Sequence, residues 1–107
     1  MKIIFEKEYL RELYEEGKAS GKKYQFQPQV IKQYIKTVDI LKRELDTESL
    51  YHYKSLHYEK KEGDLHGIEA VYVNMQYRLE FRSRLEGTEP DLITICSLLD
   101  LSNHYKK

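Results

Sequence analysis

The sequence has a single cysteine and no long apolar run, and each absence narrows the classes of protein that it suits. With only Cys96, no internal disulfide can form, so we expect the fold to rest on its core. Cys96 lies in the apolar run 92–96, which favours a buried thiol over a nucleophile. No apolar run reaches the roughly 20 residues of a membrane-spanning helix. Charged residues directly after 1–5 also argue against a signal peptide, so we expect a cytoplasmic protein.

Several motifs that carry chemistry are absent as well. The chain has no glycine-rich phosphate loop and no dinucleotide-binding motif, which argues against a nucleotide-dependent enzyme. No Cys/His cluster has zinc spacing, and His52 and His57 are two imidazoles in a predicted loop, too few for a metal site. We therefore expect neither a metal nor a cofactor. The length of 107 residues predicts one domain, 1–107.

The charges that are present are unevenly distributed around a net charge of zero. Segment 18–61 has ten basic and five acidic residues, whereas 62–100 has three basic and eight acidic residues. A basic middle is compatible with contacts to nucleic-acid phosphates. A solvated lysine-rich helix face is the alternative, and the zero total argues against a strongly RNA-binding surface.

Hydrophobic periodicity predicts a short first strand at 2–5, followed by two helices. The first helix, 7–16, carries an apolar stripe and is followed by Gly17, which fits a helix stop. The second helix begins at Pro28, because proline is tolerated in a first helical turn. It continues until the polar stretch 46–49 breaks the pattern.

Segment 50–67 predicts a compact loop with a short strand near 54–56. The period then changes to strict alternation, which predicts strands at 68–73, 77–84 and 91–98 and a turn or helical piece in the tail. The resulting fold class is α+β, with two N-terminal helices packed on one face of a small antiparallel sheet. The opposite face of strand 77–84 is expected to display Arg78, Glu80, Arg82 and Arg84.

The remaining polar groups suit the cleavage of RNA. RNA carries its own nucleophile, the 2′-hydroxyl, so an enzyme needs only to remove that proton, protonate the leaving 5′-oxygen and stabilise the charged phosphorane. Histidine suits the proton transfers because its pKa lies near neutrality. Arginine and lysine suit the phosphate charge. Ten tyrosines without a tryptophan also fit a surface that stacks on bases.

Three stretches of the sequence are similar to motifs of one family. Leu56-His57, followed by 60–64 and Gly67, is similar to the loop "LH…LKGD…G". Residues 71–81 are similar to the hairpin "RVNxQYRIxF", and 102–105 lie where the family ends in an acidic-aromatic-histidine motif. Together they resemble the HigB branch of the RelE/ParE toxin superfamily.

The resemblance implies a microbial-ribonuclease-like fold, cleavage of messenger RNA on the ribosome, and neutralisation by a HigA-like helix-turn-helix antitoxin. It implies that His57 and His104 transfer protons and that Arg78 stabilises the transition state. The residues that it assigns to RNA phosphates or to base stacking are Lys60, Lys61, Arg82 and Tyr105.

Each assignment has an ordinary alternative. His57 could be a packed loop histidine, His104 an unconstrained tail residue, and the loop lysines merely solvated. Arg78 could pair with neighbours of Glu80 or with Glu69 across the hairpin. Two other functions also stay open: a ParE-like inhibitor that binds DNA gyrase without nuclease activity, and a catalytically inactive relative. Only the ribonuclease needs proton-transfer groups beside Arg78.

Overall fold

The computed structural model describes residues 1–61 and 67–103, which form an α+β fold. Its main elements are β1 (Lys2–Phe5), α1 (Glu8–Glu16), α2 (Pro28–Arg43), β2 (Glu59–Lys60), β3 (Glu69–Tyr72), β4 (Tyr77–Glu86) and β5 (Ile93–Asn103). Short 3-10 helices occupy Lys22–Tyr24, Glu48–His52 and Lys54–Leu56. The predictions for Gly63, His104 and Tyr105 fall outside the described residues.

Both long helices lie where the sequence predicts them, although α1 begins at Glu8 rather than at residue 7 and α2 ends at Arg43, before the polar stretch 46–49. Gly17 follows α1 with a φ of +75°, a left-handed conformation that glycine adopts without steric cost. Pro28 occupies the first turn of α2, where its missing N–H has no partner to lose. The periodicity of the apolar stripes is therefore sufficient to locate these two elements.

The sheet is mixed, so the prediction of an antiparallel sheet is wrong in one respect. The strand order is β1-β5-β4-β3-β2, and β1 pairs with β5 in parallel. The other neighbours pair antiparallel. A parallel neighbour requires a long crossover connection, which the intervening helices and strands supply.

Two local predictions are also wrong. The tail does not turn after 98, because β5 continues to Asn103 with Leu101 buried opposite Leu79. The strand predicted at 54–56 is a 3-10 helix, and the adjacent strand is β2. In β5, Leu99 is an extra residue without a cross-strand partner, so two apolar residues in succession mark a β-bulge rather than the end of the strand.

Both helices cover one face of the sheet. Alternate residues of β4, such as Leu79 and Phe81, are fully buried against the apolar stripes of the helices. The buried helix residues in this core are Tyr9, Leu10, Leu13, Val30, Tyr34, Val38 and Leu41. Cross-strand pairing puts the other alternate positions, including Tyr72 and Arg78, on the opposite face.

Candidate functional site

His57 lies at the end of the 3-10 helix Lys54–Leu56, in an unusual backbone conformation. Its φ is 46°, in the left-handed region that residues other than glycine rarely adopt. The preceding Leu56 is only 3% exposed and anchors this turn in the core. His57 is an exposed residue of this turn.

The ring of Tyr72 brings His57 and Arg78 together on the face that the helices leave uncovered. The rings of His57 and Tyr72 are tilted against each other, with centroids 4.4 Å apart. Arg78 is the cross-strand partner of Tyr72, and its guanidinium carbon lies 5.3 Å from the same ring centroid. The loop histidine and the hairpin arginine therefore flank one aromatic ring.

Glu59, which the sequence analysis did not single out, joins two cations at this cluster. Its Oε1 accepts a hydrogen bond from Arg78 Nη1 at 2.9 Å and from Lys61 Nζ at 3.1 Å. The side chains of Arg78 and Lys61 are 16% and 21% exposed, whereas that of Glu59 is 49% exposed. The carboxylate is thus held by fixed cations yet open to solvent.

The alternative that Arg78 pairs with Glu69 is wrong, because Glu69 lies on the helix-covered face. It is only 1% exposed, and its Oε2 accepts hydrogen bonds from the backbone and hydroxyl of Ser83 at 2.9 and 2.6 Å. Its Oε1 accepts the hydroxyl of Tyr58 at 2.5 Å. Burial and this bond raise the pKa of Tyr58.

The anchored Tyr58 lies between His57 and Glu59 in the chain. Its ring also stacks on Phe81 in the core, with centroids 6.2 Å apart. Since Tyr58 is fixed from the helix-covered side, the adjacent strand residue Glu59 faces the opposite side, where it contacts Arg78. Glu69 and Tyr58 therefore position the cluster without belonging to it.

The other predicted site residues lie apart from this cluster. Lys60 pairs with Glu69, so strand alternation turns its side chain away from the face of Glu59. Arg82 shares the face of Arg78 but lies four residues along β4, about 13 Å away at strand spacing. His104 and Tyr105 lie outside the described residues.

A groove of about 380 Å³ opens beside His57. Its lining residues are Gln33, Ile40, Ser55, Leu56, His57, Tyr72, Val73, Asn74 and Met75. Of the cluster, His57 and Tyr72 line this groove, together with Gln33 and Ile40 of α2. The cluster as a whole offers an imidazole, a carboxylate, a guanidinium and an ammonium group. These groups can transfer protons and stabilise an anion.

The described part of the chain holds no metal-binding cluster and no membrane-spanning helix. Among residues 1–61 and 67–103, no group of three or more His, Cys, Asp or Glu side chains is arranged to hold a metal ion. No helix in the same residues is both long and apolar enough to cross a membrane.

No protein-family model matches this chain, and no curated protein matches it. The similarity of its loop and hairpin motifs to HigB toxins therefore stays a prediction.

Proposed function

We propose that the protein is the toxin of a toxin–antitoxin module, a metal-independent endoribonuclease that cleaves messenger RNA on the ribosome. The observation that carries this proposal is that His57 and Arg78 both contact the ring of Tyr72, while Glu59 accepts a hydrogen bond from Arg78. These are the group types that transesterification of RNA requires. The HigB-like motifs in the sequence support a helix-turn-helix antitoxin as its partner.

In the proposed reaction, the Glu59 carboxylate removes the proton of the 2′-hydroxyl, whose oxygen attacks the adjacent phosphorus. The exposed His57 imidazolium gives a proton to the departing 5′-oxygen, which leaves a cyclic phosphate. Arg78 and Lys61 bind the non-bridging oxygens, where negative charge increases in the transition state. His104 stays a sequence-based candidate for one of the two proton transfers, and Tyr105 for stacking on a base.

A second candidate is a relative that keeps the fold but has no nuclease activity. One observation favours it: the Glu59 carboxylate already neutralises both Arg78 and Lys61. In that case the cluster would be a structural ion-pair network rather than a catalytic one.

Growth arrest on induced expression tests the proposal. Arg78→Ala removes the group that stabilises the phosphorane, so growth should continue as in an empty-vector culture. Arg84→Ala is the matched control, because Arg84 lies on the same strand and face but pairs with Glu86. It should still arrest growth. If a folded Arg78→Ala variant, checked by its thermal unfolding midpoint, arrests growth as wild type does, the proposal is wrong.

A further inference from the structure

The connector between the two long helices is ordered by its own side chains. The Gln25 amide donates hydrogen bonds to the carbonyls of Ala19 and Gly21, at 2.9 and 3.0 Å. Ala19 is only 7% exposed, and the backbone N–H of Tyr24 donates to the Gly21 carbonyl at 3.1 Å. This lysine-containing segment therefore has a fixed shape, unlike an ordinary solvated connector.

Tyr24 in this connector packs on a rigid support. Its ring is parallel to that of Tyr9, with centroids 3.8 Å apart. The Tyr9 hydroxyl donates to Asp100 and accepts the N–H of Leu101 at 2.8 Å. A Cβ added at Gly21 would lie 3.0 Å from the Tyr24 ring, so a larger residue there would require the ring to shift by a few tenths of an ångström.

A groove of about 380 Å³ runs between the connector and the ends of β4 and β5. The rings of Phe26 and Tyr77 form an aromatic corner of this groove. They pack edge to face, with centroids 5.2 Å apart and an interplanar angle of 81°. Lys23 Nζ lies 5.3 Å from the Tyr24 ring centroid. Partly exposed rings beside a lysine are the features with which proteins bind single-stranded nucleic acid.

Two further charged groups line the groove. Lys7 Nζ lies 3.5 Å from Asp100, so these two charges offset each other. Among the described residues that line the groove, the charge of Lys23 is then not offset by another lining residue, and it is positive. A groove for an amphipathic protein helix would instead be predominantly apolar, whereas most of the lining surface of this groove is polar.

The groove adjoins the proposed ribonuclease site. Tyr77 directly precedes Arg78 on β4, and Ser102, which lines the groove, is the cross-strand partner of Arg78. The groove and Arg78 therefore lie at the same end of the β4–β5 pair, where strand alternation turns Tyr77 and Arg78 to opposite faces of the sheet.

We propose that this groove binds a nucleotide of single-stranded RNA that flanks the nucleotide held at Arg78. Its base packs in the corner formed by Phe26 and Tyr77, and Lys23 pairs with its phosphate. The inference rests on the proposed function for the class of ligand, but it concerns residues that take no part in the chemistry.

Binding of a short 2′-O-methyl RNA tests the inference, because such RNA cannot be cleaved. Lys23→Gln should weaken binding about threefold or more and lower the salt-dependence slope by about one. Lys42→Gln is the matched control, since Lys42 Nζ lies 5.2 Å over the ring of Tyr14, far along the chain from the groove. It should change neither quantity. Equal effects of the two variants would overturn the inference.

A 2-aminopurine base in the same RNA reports stacking directly, because its fluorescence falls when it stacks on a ring. Phe26→Leu should reduce this quenching in the saturated complex while the thermal midpoint stays near wild type. Unchanged quenching in a folded Phe26→Leu variant would also contradict the inference.

Loss of binding in Lys23→Gln without any RNA cleavage by wild type would refute only the proposed function. Cleavage with equal binding by both lysine variants would refute only the groove.

Discussion

At the scale of single residues, the contacts of Glu59 fit two roles, a structural carboxylate and a general base. It accepts hydrogen bonds from Arg78 and Lys61 while half of its side chain remains exposed. A structural carboxylate and a general base differ in what the neutral isostere does. A structural role tolerates a hydrogen-bonding amide, whereas proton abstraction does not.

Glu59→Gln should lower RNA cleavage by about 10²- to 10⁴-fold, the usual contribution of a general base. The measurement is the initial rate of messenger RNA cleavage in a translation extract. Glu86→Gln is the matched control, because Glu86 also pairs with an arginine of β4, at 3.0 Å from Arg84. An active Glu59→Gln variant would leave Glu59 with a structural role only.

The site could be predicted in part at this scale. The loop and hairpin motifs singled out His57 and Arg78, and these two residues do flank one ring. The motifs did not single out Glu59, because its position beside Arg78 depends on a strand of two residues. The motifs also made Lys60 and Lys61 equally good candidates for the phosphate-binding lysine. The strand register shows that Lys60 faces away from Glu59.

At the scale of elements, the turn that carries His57 depends on an anchor from the sheet. Glu69 in β3 lies on the helix-covered face and accepts a hydrogen bond from the Tyr58 hydroxyl. Among the described residues, its other hydrogen-bond donor is Ser83, which is uncharged. A buried carboxylate that loses a donor keeps its desolvation cost. The geometry of the turn and the stability of the domain are therefore coupled.

Tyr58→Phe should lower the free energy of unfolding by about 1 to 3 kcal/mol, because it leaves the Glu69 oxygen without that donor. Urea denaturation measures the change. Tyr51→Phe provides the comparison, since Tyr51 is 57% exposed and its loss of a hydroxyl should alter stability by less than about 0.5 kcal/mol. Similar values for the two variants would mean that the Glu69 contact contributes nothing.

Local patterns located the long helices and the alternating strands but not how distant strands pair. The parallel pairing of β1 with β5 joins residues more than 90 positions apart, such as Lys2 and Ile95. No local periodicity records such a contact. The extension of β5 was missed for a different reason: the bulge at Leu99 interrupts the alternation and imitates the end of a strand.

At the scale of the whole molecule, the two faces of the sheet have different roles. One face of the sheet is buried under the helices, and it contains Cys96, which is fully buried. The other face carries the proposed site. Burial raises the pKa of the Cys96 thiol to about 12, so little thiolate is present near neutral pH.

Cys96 should therefore report unfolding of the whole domain. Alkylation by iodoacetamide at pH 8 should be slower by at least about a thousandfold in the native protein than in denaturant, because a stability of several kcal/mol limits exposure of the thiol. Mass spectrometry over time measures both rates. Native alkylation within tenfold of the denatured rate would show that the core does not protect Cys96.

The most direct test of the proposed function is to map messenger RNA 5′ ends after brief induction. Wild type should produce new 5′ ends within translated reading frames. His57→Ala should abolish them because it removes the proton donor, whereas His52→Ala, an exposed histidine of the neighbouring turn, should leave them unchanged. New ends that persist in His57→Ala, or that never form with wild type, would contradict the account.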